Sequence, residues 1–187
     1  MNILIVGVGG QGTILTARVL GEYAPRMGLD VKVSEVHGMA QRGGCVVTHV
    51  RMEKTVLSPL IEEGTADVIL AFEAMEAMRW LPRLKMGGLV IAAKDRIVPP
   101  SVTNGQAKYP ENVAANLPEN TIWVDAVELA KKAGSVRAAN IVLLGVFTAA
   151  AGLDQEQMRQ AIVQSVRPVF REMNDSAFTL GYGAVNA

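Results

Sequence analysis

Gly7-Val8-Gly9-Gly10-Gln11-Gly12 is the strongest indication of fold in this 187-residue chain. It follows a short apolar run, Ile3 to Val6, and precedes a helical pattern that begins at Thr13. The glycines at positions 7, 9 and 12 fit the G-x-G-x-x-G pattern of a strand–turn–helix unit, whose free N–H groups favour an anionic ligand. A tight turn that binds nothing explains the same pattern. It is not a Walker loop, because no Gly-Lys-Ser/Thr follows.

Length and composition restrict the classes of protein to which the chain can belong. The length fits one domain spanning residues 1–187. Eighteen basic residues balance eighteen acidic ones, so the chain lacks the charge of a nucleic-acid-binding protein. The single cysteine, Cys45, cannot ligate an iron–sulfur cluster, which typically takes four. The longest apolar run, Ile141 to Leu153, is too short to span a bilayer, and no signal peptide is apparent. We therefore expect a cytoplasmic protein that binds neither nucleic acid nor membranes.

The order of apolar runs and helical patterns predicts an α/β fold, a Rossmann-like open and mostly parallel sheet with helices on both faces. Pro25 should end or kink the first helix at about Ala24, and Asp125 should cap the helix that follows it. Predicted strands are 2–6, 31–36, 45–52, 67–72, 89–93 and 121–124, and predicted helices are 13–24, 73–85, 126–133, 138–151 and 155–166. The helix at 138–151 is apolar nearly all round, so it should be buried or lie at an interface, and Asn140 near its start then needs a partner.

A glycine-rich loop at 37–44 follows the second predicted strand, at the edge where open α/β sheets bind ligands. His37 and Arg42 are its candidate catalytic side chains. Gln41, Arg42, Gly43 and Gly44 are candidate binding residues, because glycines let an anion approach the backbone and arginine can hydrogen-bond it bidentately. A flexible connection without a function is the alternative.

Other chemistry-bearing residues have simpler interpretations. Glu73 follows a buried strand and is expected to begin a helix, although it also falls at the ligand edge. Cys45 is expected to be packed in a strand rather than to act as a nucleophile. Glu35 falls roughly where a dinucleotide fold places its ribose-binding acid, which leaves a nicotinamide or flavin reductase as a rival. No cluster of histidines and cysteines has metal-ligand spacing.

The glycine turn at 7–12, the segment Glu35 to Gly44, and the pairs Ser58-Pro59 and Phe72-Glu73 together resemble one family. It is the indolepyruvate:ferredoxin oxidoreductase beta-subunit family, which matches the gamma domain of the wider 2-oxoacid:ferredoxin oxidoreductases. The resemblance also covers Asn140 to Gly145 and Ala177 to Tyr182, and therefore runs nearly end to end. The loop H-G-M-A-Q-R-G-G is what looks specific to the indolepyruvate branch.

The resemblance implies a subunit that works with others. In such complexes aryl pyruvates are oxidatively decarboxylated to aryl-acetyl-CoA, with coenzyme A as co-substrate and ferredoxin as electron acceptor. Thiamine diphosphate, Mg and 4Fe-4S clusters are expected in the large alpha subunit, and no cofactor or metal in this chain. The turn Gly7, Gly9, Gly10, Gln11 and Gly12, with the 37–44 loop, would face that partner. There Gln11 would hydrogen-bond across the interface and Arg42 would meet a phosphate or carboxylate.

Three alternatives stay open at this point. A gamma subunit of a pyruvate or 2-oxoglutarate enzyme shares most of these motifs. A self-sufficient nicotinamide or flavin reductase would use Glu35. A non-catalytic scaffold would use the glycine turn only for structure.

Overall fold

A six-stranded sheet organises the computed structural model, which describes residues 1–37 and 44–185. The strands lie in the order β2-β3-β1-β4-β5-β6. Their bounds are β1 Asn2–Val8, β2 Asp30–His37, β3 Cys45–Glu53, β4 Ala66–Ala71, β5 Leu84–Ala93 and β6 Ile122–Val124. Strand β3 is antiparallel to both of its neighbours, and the remaining neighbouring pairs are parallel. The predicted mostly parallel α/β sheet is therefore confirmed.

The described part of the chain also contains seven α-helices and four short 3-10 segments, and four of these helices follow the last strand, β6. The helices are α1 Thr13–Arg26, α2 Ala74–Trp80, α3 Pro100–Thr103, α4 Ala126–Lys132, α5 Ala139–Ala150, α6 Gln155–Ser165 and α7 Arg171–Gly183. The 3-10 segments are Leu81–Arg83, Val113–Asn116, Val136–Ala138 and Pro168–Phe170. None of the helices described is long and apolar enough to cross a membrane.

Two apolar clusters cover the two faces of the sheet. Alternate residues of a strand point to opposite faces, so Ile3 and Ile5 of β1 belong to one cluster and Leu4 and Val6 to the other. The larger cluster takes in α1, α4, α5, α6 and α7, whereas the smaller one takes in α2. Helices thus lie on both faces as predicted, but most of them lie on one.

Helix α5 is buried along most of its length, as its all-round apolar sequence predicts. It packs against α7 at two glycines, Gly145 and Gly181. A Cβ on Gly145 would collide with the backbone of Phe178, and a Cβ on Gly181 would collide with the backbone of Val142. The two helix backbones are therefore in direct contact, which only glycine permits.

The end of α1 differs from the prediction. The helix continues through Pro25 and ends at Arg26, two residues before Gly28, whose φ is +70°. The N–H groups of Gly28 and Leu29 donate to the carbonyls of Pro25 and Ala24, which is the Schellman arrangement. The glycine, and not the proline, determines where this helix ends.

The helix predicted at 73–85 is also shorter than expected. Helix α2 ends at Trp80, and the 3-10 segment that follows contains Pro82, which has no N–H to continue the helix. Strand β5 then begins at Leu84, five residues before the predicted start at Leu89. Its pairing with β4 shifts register over this stretch, where Gly87 takes a φ of +72°. The predicted glycine turn is therefore an irregularity inside the strand.

Candidate functional site

The glycine turn joins β1 to α1 at the carboxyl edge of the sheet, as predicted. Gly10 and Gly12 have φ values of +99° and +88°, in the left-handed region that favours glycine. A Cβ on Gly7 would lie 2.9 Å from the Cβ of Phe72, and one on Gly12 would lie 2.8 Å from Nδ2 of Asn140. These glycines therefore let the turn pack closely against β4 and α5.

The side-chain amide of Gln11 makes two hydrogen bonds within the chain. Its Oε1 accepts a hydrogen bond from the backbone N–H of Val8 at 2.7 Å, and its Nε2 donates to the carbonyl of Phe72 at 2.7 Å. The amide thus links the end of β1 to the end of β4. Both ends of the amide therefore have a partner within the chain, while Nε2 keeps a second N–H and Oε1 a second lone pair. The hydrogen bond of Gln11 across a subunit interface stays a prediction.

The glycine-rich loop is described only at its two ends. The backbone of His37 pairs with Val46 at the end of β2, and the carbonyl of Gly44 accepts a hydrogen bond from the N–H of Gly9 at 3.0 Å. This bond brings the end of the loop to the glycine turn. Gln41, Arg42 and Gly43 lie outside the described residues, and so does the side chain of His37. Their roles stay predictions.

Glu73 begins α2 and is fully buried. Its Oε2 accepts from the N–H of Glu76 at 3.1 Å, which confirms the interpretation as a helix-start carboxylate. Its Oε1 accepts from the hydroxyl of Tyr109 at 2.5 Å. Burial raises the pKa of the Tyr109 hydroxyl, and the Glu73 carboxylate raises it further. The hydroxyl therefore keeps its proton and donates a hydrogen bond to Glu73. Glu73 therefore joins the start of α2 to a distant loop.

A cleft of about 570 Å³ opens at the carboxyl edge beside the turn. Its lining comprises Gly10, Gln11, Gly12, Phe72, Ala93, Asp95, Arg96, Ile97, Ala126, Val127, Val136, Arg137, Ala139 and Leu143. The walls are mainly apolar, and the two guanidinium groups of Arg96 and Arg137 outnumber the one carboxylate, that of Asp95, which accepts from the N–H of Val127. A cleft of this kind suits a ligand or partner segment that carries an anionic group.

The start of α4 at this cleft differs from the prediction. The side chain of Asp125 makes no capping hydrogen bond, because it pairs with Nζ of Lys94 at 2.7 Å. Asp95 instead accepts from the N–H of Val127 at 3.4 Å. Asp125 was wrong as the cap, although the helix does begin directly after it.

Asn140 meets the turn from the start of α5. Its Nδ2 donates to the carbonyl of Gly12 at 3.4 Å, which supplies one predicted partner. Its Oδ1 is buried and has no partner among the described residues. Of the two polar side-chain atoms of Asn140, only Nδ2 therefore has the expected partner among the described residues.

Glu35 does not lie on a strand next to β1, where a dinucleotide fold of strand order 3-2-1 places its ribose-binding acid. It pairs with Thr48 of β3, and β3 separates β2 from β1. Two strand spacings amount to about 10 Å. The antiparallel insertion of β3 therefore argues against the reductase that uses this residue.

Cys45 is half-buried at the start of β3. Its Sγ lies 2.6 Å from Oε2 of Glu76, a buried carboxylate that also pairs with Arg79 at 3.2 Å. Burial first, and then the bond to Glu76, raise the pKa of the thiol to about 11. The neutral thiol is a poor nucleophile, in agreement with the packed role.

No sequence pattern pointed to Tyr109, Arg96 or Arg137. Arg96 follows a buried strand in the charged triplet Lys94-Asp95-Arg96, and that placement could have identified it. Tyr109 lies in an irregular stretch with no periodicity. Within residues 1–37 and 44–185, no group of three or more His, Cys, Asp or Glu side chains could hold a metal ion.

Comparisons with known proteins agree on one family. The family model described as pyruvate ferredoxin/flavodoxin oxidoreductase matches residues 2–184. Indolepyruvate oxidoreductase subunit IorB of Archaeoglobus fulgidus is 43% identical, over 97% of this chain and 94% of that protein. The protein of the same name from Thermococcus kodakarensis is 41% identical, over 98% and 95%. The crystal structure of a keto/oxoacid ferredoxin oxidoreductase gamma subunit from Geobacter sulfurreducens superposes with a TM-score of 0.75 at 26% identity, over 100% of this chain and 99% of that one.

Proposed function

The chain belongs to the pyruvate ferredoxin/flavodoxin oxidoreductase family, and from this premise we propose that it is the small subunit of an indolepyruvate:ferredoxin oxidoreductase. The observation that carries the proposal is the identity of 41–43% to two proteins named indolepyruvate oxidoreductase subunit IorB, over nearly their whole length. The fold is that of an oxoacid oxidoreductase gamma subunit.

The proposed complex oxidatively decarboxylates aryl pyruvates to aryl-acetyl-CoA and passes the electrons to ferredoxin. We assign thiamine diphosphate, Mg and the 4Fe-4S clusters to the large alpha subunit, where they supply the decarboxylation and the electron transfer. The residues of this chain do not fit a cluster, because Cys45 is its one cysteine. Its contribution is to position groups and to supply electrostatics at the shared site.

We further propose that the carboxyl edge of the sheet faces the alpha subunit. The cleft, the glycine turn and the end of the glycine-rich loop at Gly44 all lie at this edge. Arg42 would then meet a phosphate or a substrate carboxylate, and residues 1–187 would form one gamma-type domain. We propose a cytoplasmic location, where coenzyme A and ferredoxin are available.

The nearest alternative is the gamma subunit of a pyruvate or 2-oxoglutarate:ferredoxin oxidoreductase. The sequence His37-Gly38-Met39-Ala40-Gln41 favours the indolepyruvate branch by resemblance. The stand-alone nicotinamide or flavin reductase is disfavoured because β3 separates the strand of Glu35 from β1.

The test is anaerobic co-purification with the large subunit, followed by coenzyme-A-dependent dye reduction with a panel of 2-oxoacids. We expect a brown complex with the highest kcat/KM for an aryl pyruvate such as indolepyruvate. A preference for pyruvate or 2-oxoglutarate would move the assignment to another branch. A colourless chain that purifies alone with a bound dinucleotide would overturn it.

Arg42→Ala tests the role of the loop in the same assay. We expect an assembled complex with at least about tenfold lower kcat/KM, the effect of one charge-assisted hydrogen bond. Arg26→Ala is the matched control, because Arg26 contacts Gln160 at the far end of α1. If Arg42→Ala assembles and turns over substrate as the wild type does, Arg42 has no role in binding a phosphate or a substrate carboxylate.

A further inference from the structure

The segment between β5 and β6, residues 94–121, contains the short helix α3 and one 3-10 segment and crosses the carboxyl edge of the sheet. We name this segment the strap. Its first residues, Asp95 to Ile97, line the cleft. Its later residue Leu117 is buried in the cluster on the α2 face of the sheet. The strap therefore runs from the cleft to the opposite side of the sheet.

Tyr109 anchors the middle of the strap. Its hydroxyl donates to Glu73 Oε1 at 2.5 Å. Glu73 is fully buried and is itself fixed, because its other oxygen accepts from the N–H of Glu76 at the start of α2. The middle of the strap is thus tied by a hydrogen bond to a buried carboxylate beside the glycine turn.

Arg96 depends on the same anchor. Its guanidinium carbon lies 5.4 Å from the centroid of the Tyr109 ring, a cation–π distance. An exposed arginine otherwise samples many rotamers, and this contact restricts it. Arg96 also lines the cleft together with Gly10, Gln11 and Gly12. The chain of contacts from Glu73 through Tyr109 therefore ends on a positive charge at the cleft.

We propose that Tyr109 and Glu73 are positioning residues that hold Arg96 at the cleft, where Arg96 binds an anionic group of a substrate of the assembled enzyme. The inference rests on the proposed function, which brings substrates to this edge. Planar guanidinium suits both a carboxylate and a phosphate, so the group is either the carboxylate of the 2-oxoacid or a phosphate of coenzyme A.

The test is steady-state kinetics of the assembled complex with Tyr109→Phe, Arg96→Gln and the double variant. Tyr109→Phe keeps the ring but removes the hydroxyl that fixes it. We expect each single variant to raise the KM of the same substrate by about tenfold, with kcat within about twofold. The double variant should equal Arg96→Gln alone, because both changes remove one function. A higher KM for the 2-oxoacid identifies a carboxylate, and a higher KM for coenzyme A identifies a phosphate.

Tyr23→Phe is the matched control. Its buried hydroxyl also makes one tertiary hydrogen bond, accepted from the N–H of Asp154 at 3.1 Å, on the far side of the molecule from the strap. It should leave both KM values unchanged. Unchanged KM values in Tyr109→Phe, additive effects in the double variant, or the same shift in Tyr23→Phe would each overturn the proposal.

Hydrogen exchange on the same complexes separates this inference from the proposed function. Tyr109→Phe should speed amide exchange across residues 94–112, whereas Tyr23→Phe should not. An enzyme that turns over no 2-oxoacid refutes the proposed function. Unchanged exchange in the strap refutes the anchor whatever the enzyme's activity.

Discussion

Replacing Gln11 by alanine tests the link between β1 and β4. The change removes two hydrogen bonds of 2.7 Å each, to the N–H of Val8 and to the carbonyl of Phe72. Val8 and Phe72 are 6% and 3% exposed, so their backbone groups have few other partners. Each backbone group left unsatisfied costs roughly 1–3 kcal/mol. Because the adjoining cleft admits water, we expect the lower half of the combined range, a loss of about 2–4 kcal/mol in the free energy of unfolding.

Equilibrium urea unfolding measures this loss, with an unchanged m-value as evidence that only stability has changed. Gln164→Ala is the control, because Gln164 is exposed in α6, and it should stay within about 0.5 kcal/mol of wild type. Gln11→Glu should also be destabilising, because a carboxylate can accept from Val8 but cannot donate to Phe72. A Gln11→Ala protein that loses less than about 1 kcal/mol would show that water replaces both bonds.

Three further perturbations follow from the geometry. Gly12→Ala should lower the free energy of unfolding by about 2 kcal/mol or more, because φ is +88° and Asn140 occupies the space of the new Cβ. Gly21→Ala in the open part of α1 should be neutral or stabilising by up to about 1 kcal/mol, and thermal unfolding of both variants compares them. Burial, and to a smaller extent the charge of Arg83, lower the pKa of His49, so its contribution to stability is present above about pH 6.5 and is lost as the pH falls through the lowered value. Denaturant midpoints measured between pH 4 and 8 should therefore fall with acid in the wild type and fall less in His49→Gln. Cys45, with a thiol pKa of about 11, should react slowly with iodoacetamide at pH 8 and far faster once the chain is unfolded in urea; equally fast labelling of the folded protein would contradict the raised pKa.

The parts of the fold that the sequence predicted depend on neighbouring residues. The glycine turn is one example, because Gly10 and Gly12 take the left-handed backbone conformation that its geometry requires. Glu73 is another, since its carboxylate caps α2 at the N–H of Glu76, three residues away, at 3.1 Å. The burial of α5 was predictable because apolar residues cover the helix on all sides. In each case the pattern and its partner lie close together in the chain.

The errors concern partners that are distant in sequence. The hydrogen bond from Gln11 to the carbonyl of Phe72 was not predicted, because Phe72 lies 61 residues away. Asp125 failed as a cap because Lys94, 31 residues earlier, takes its carboxylate. Tyr109 escaped notice for the same reason, since its partner Glu73 is 36 residues away. Local patterns predict the backbone of the site, but its side-chain connections form only when the strands are assembled.

The glycine contact between α5 and α7 has a consequence for biosynthesis. Helix α7 follows α5 in the chain and provides the surface against which Gly145 and its neighbours pack. While the ribosome is still adding residues 155–183, the apolar surface of α5 has no finished partner and can bind chaperones or other nascent chains. A substitution that enlarges Gly181 would therefore reduce the yield of the newly made protein as well as the stability of the finished one.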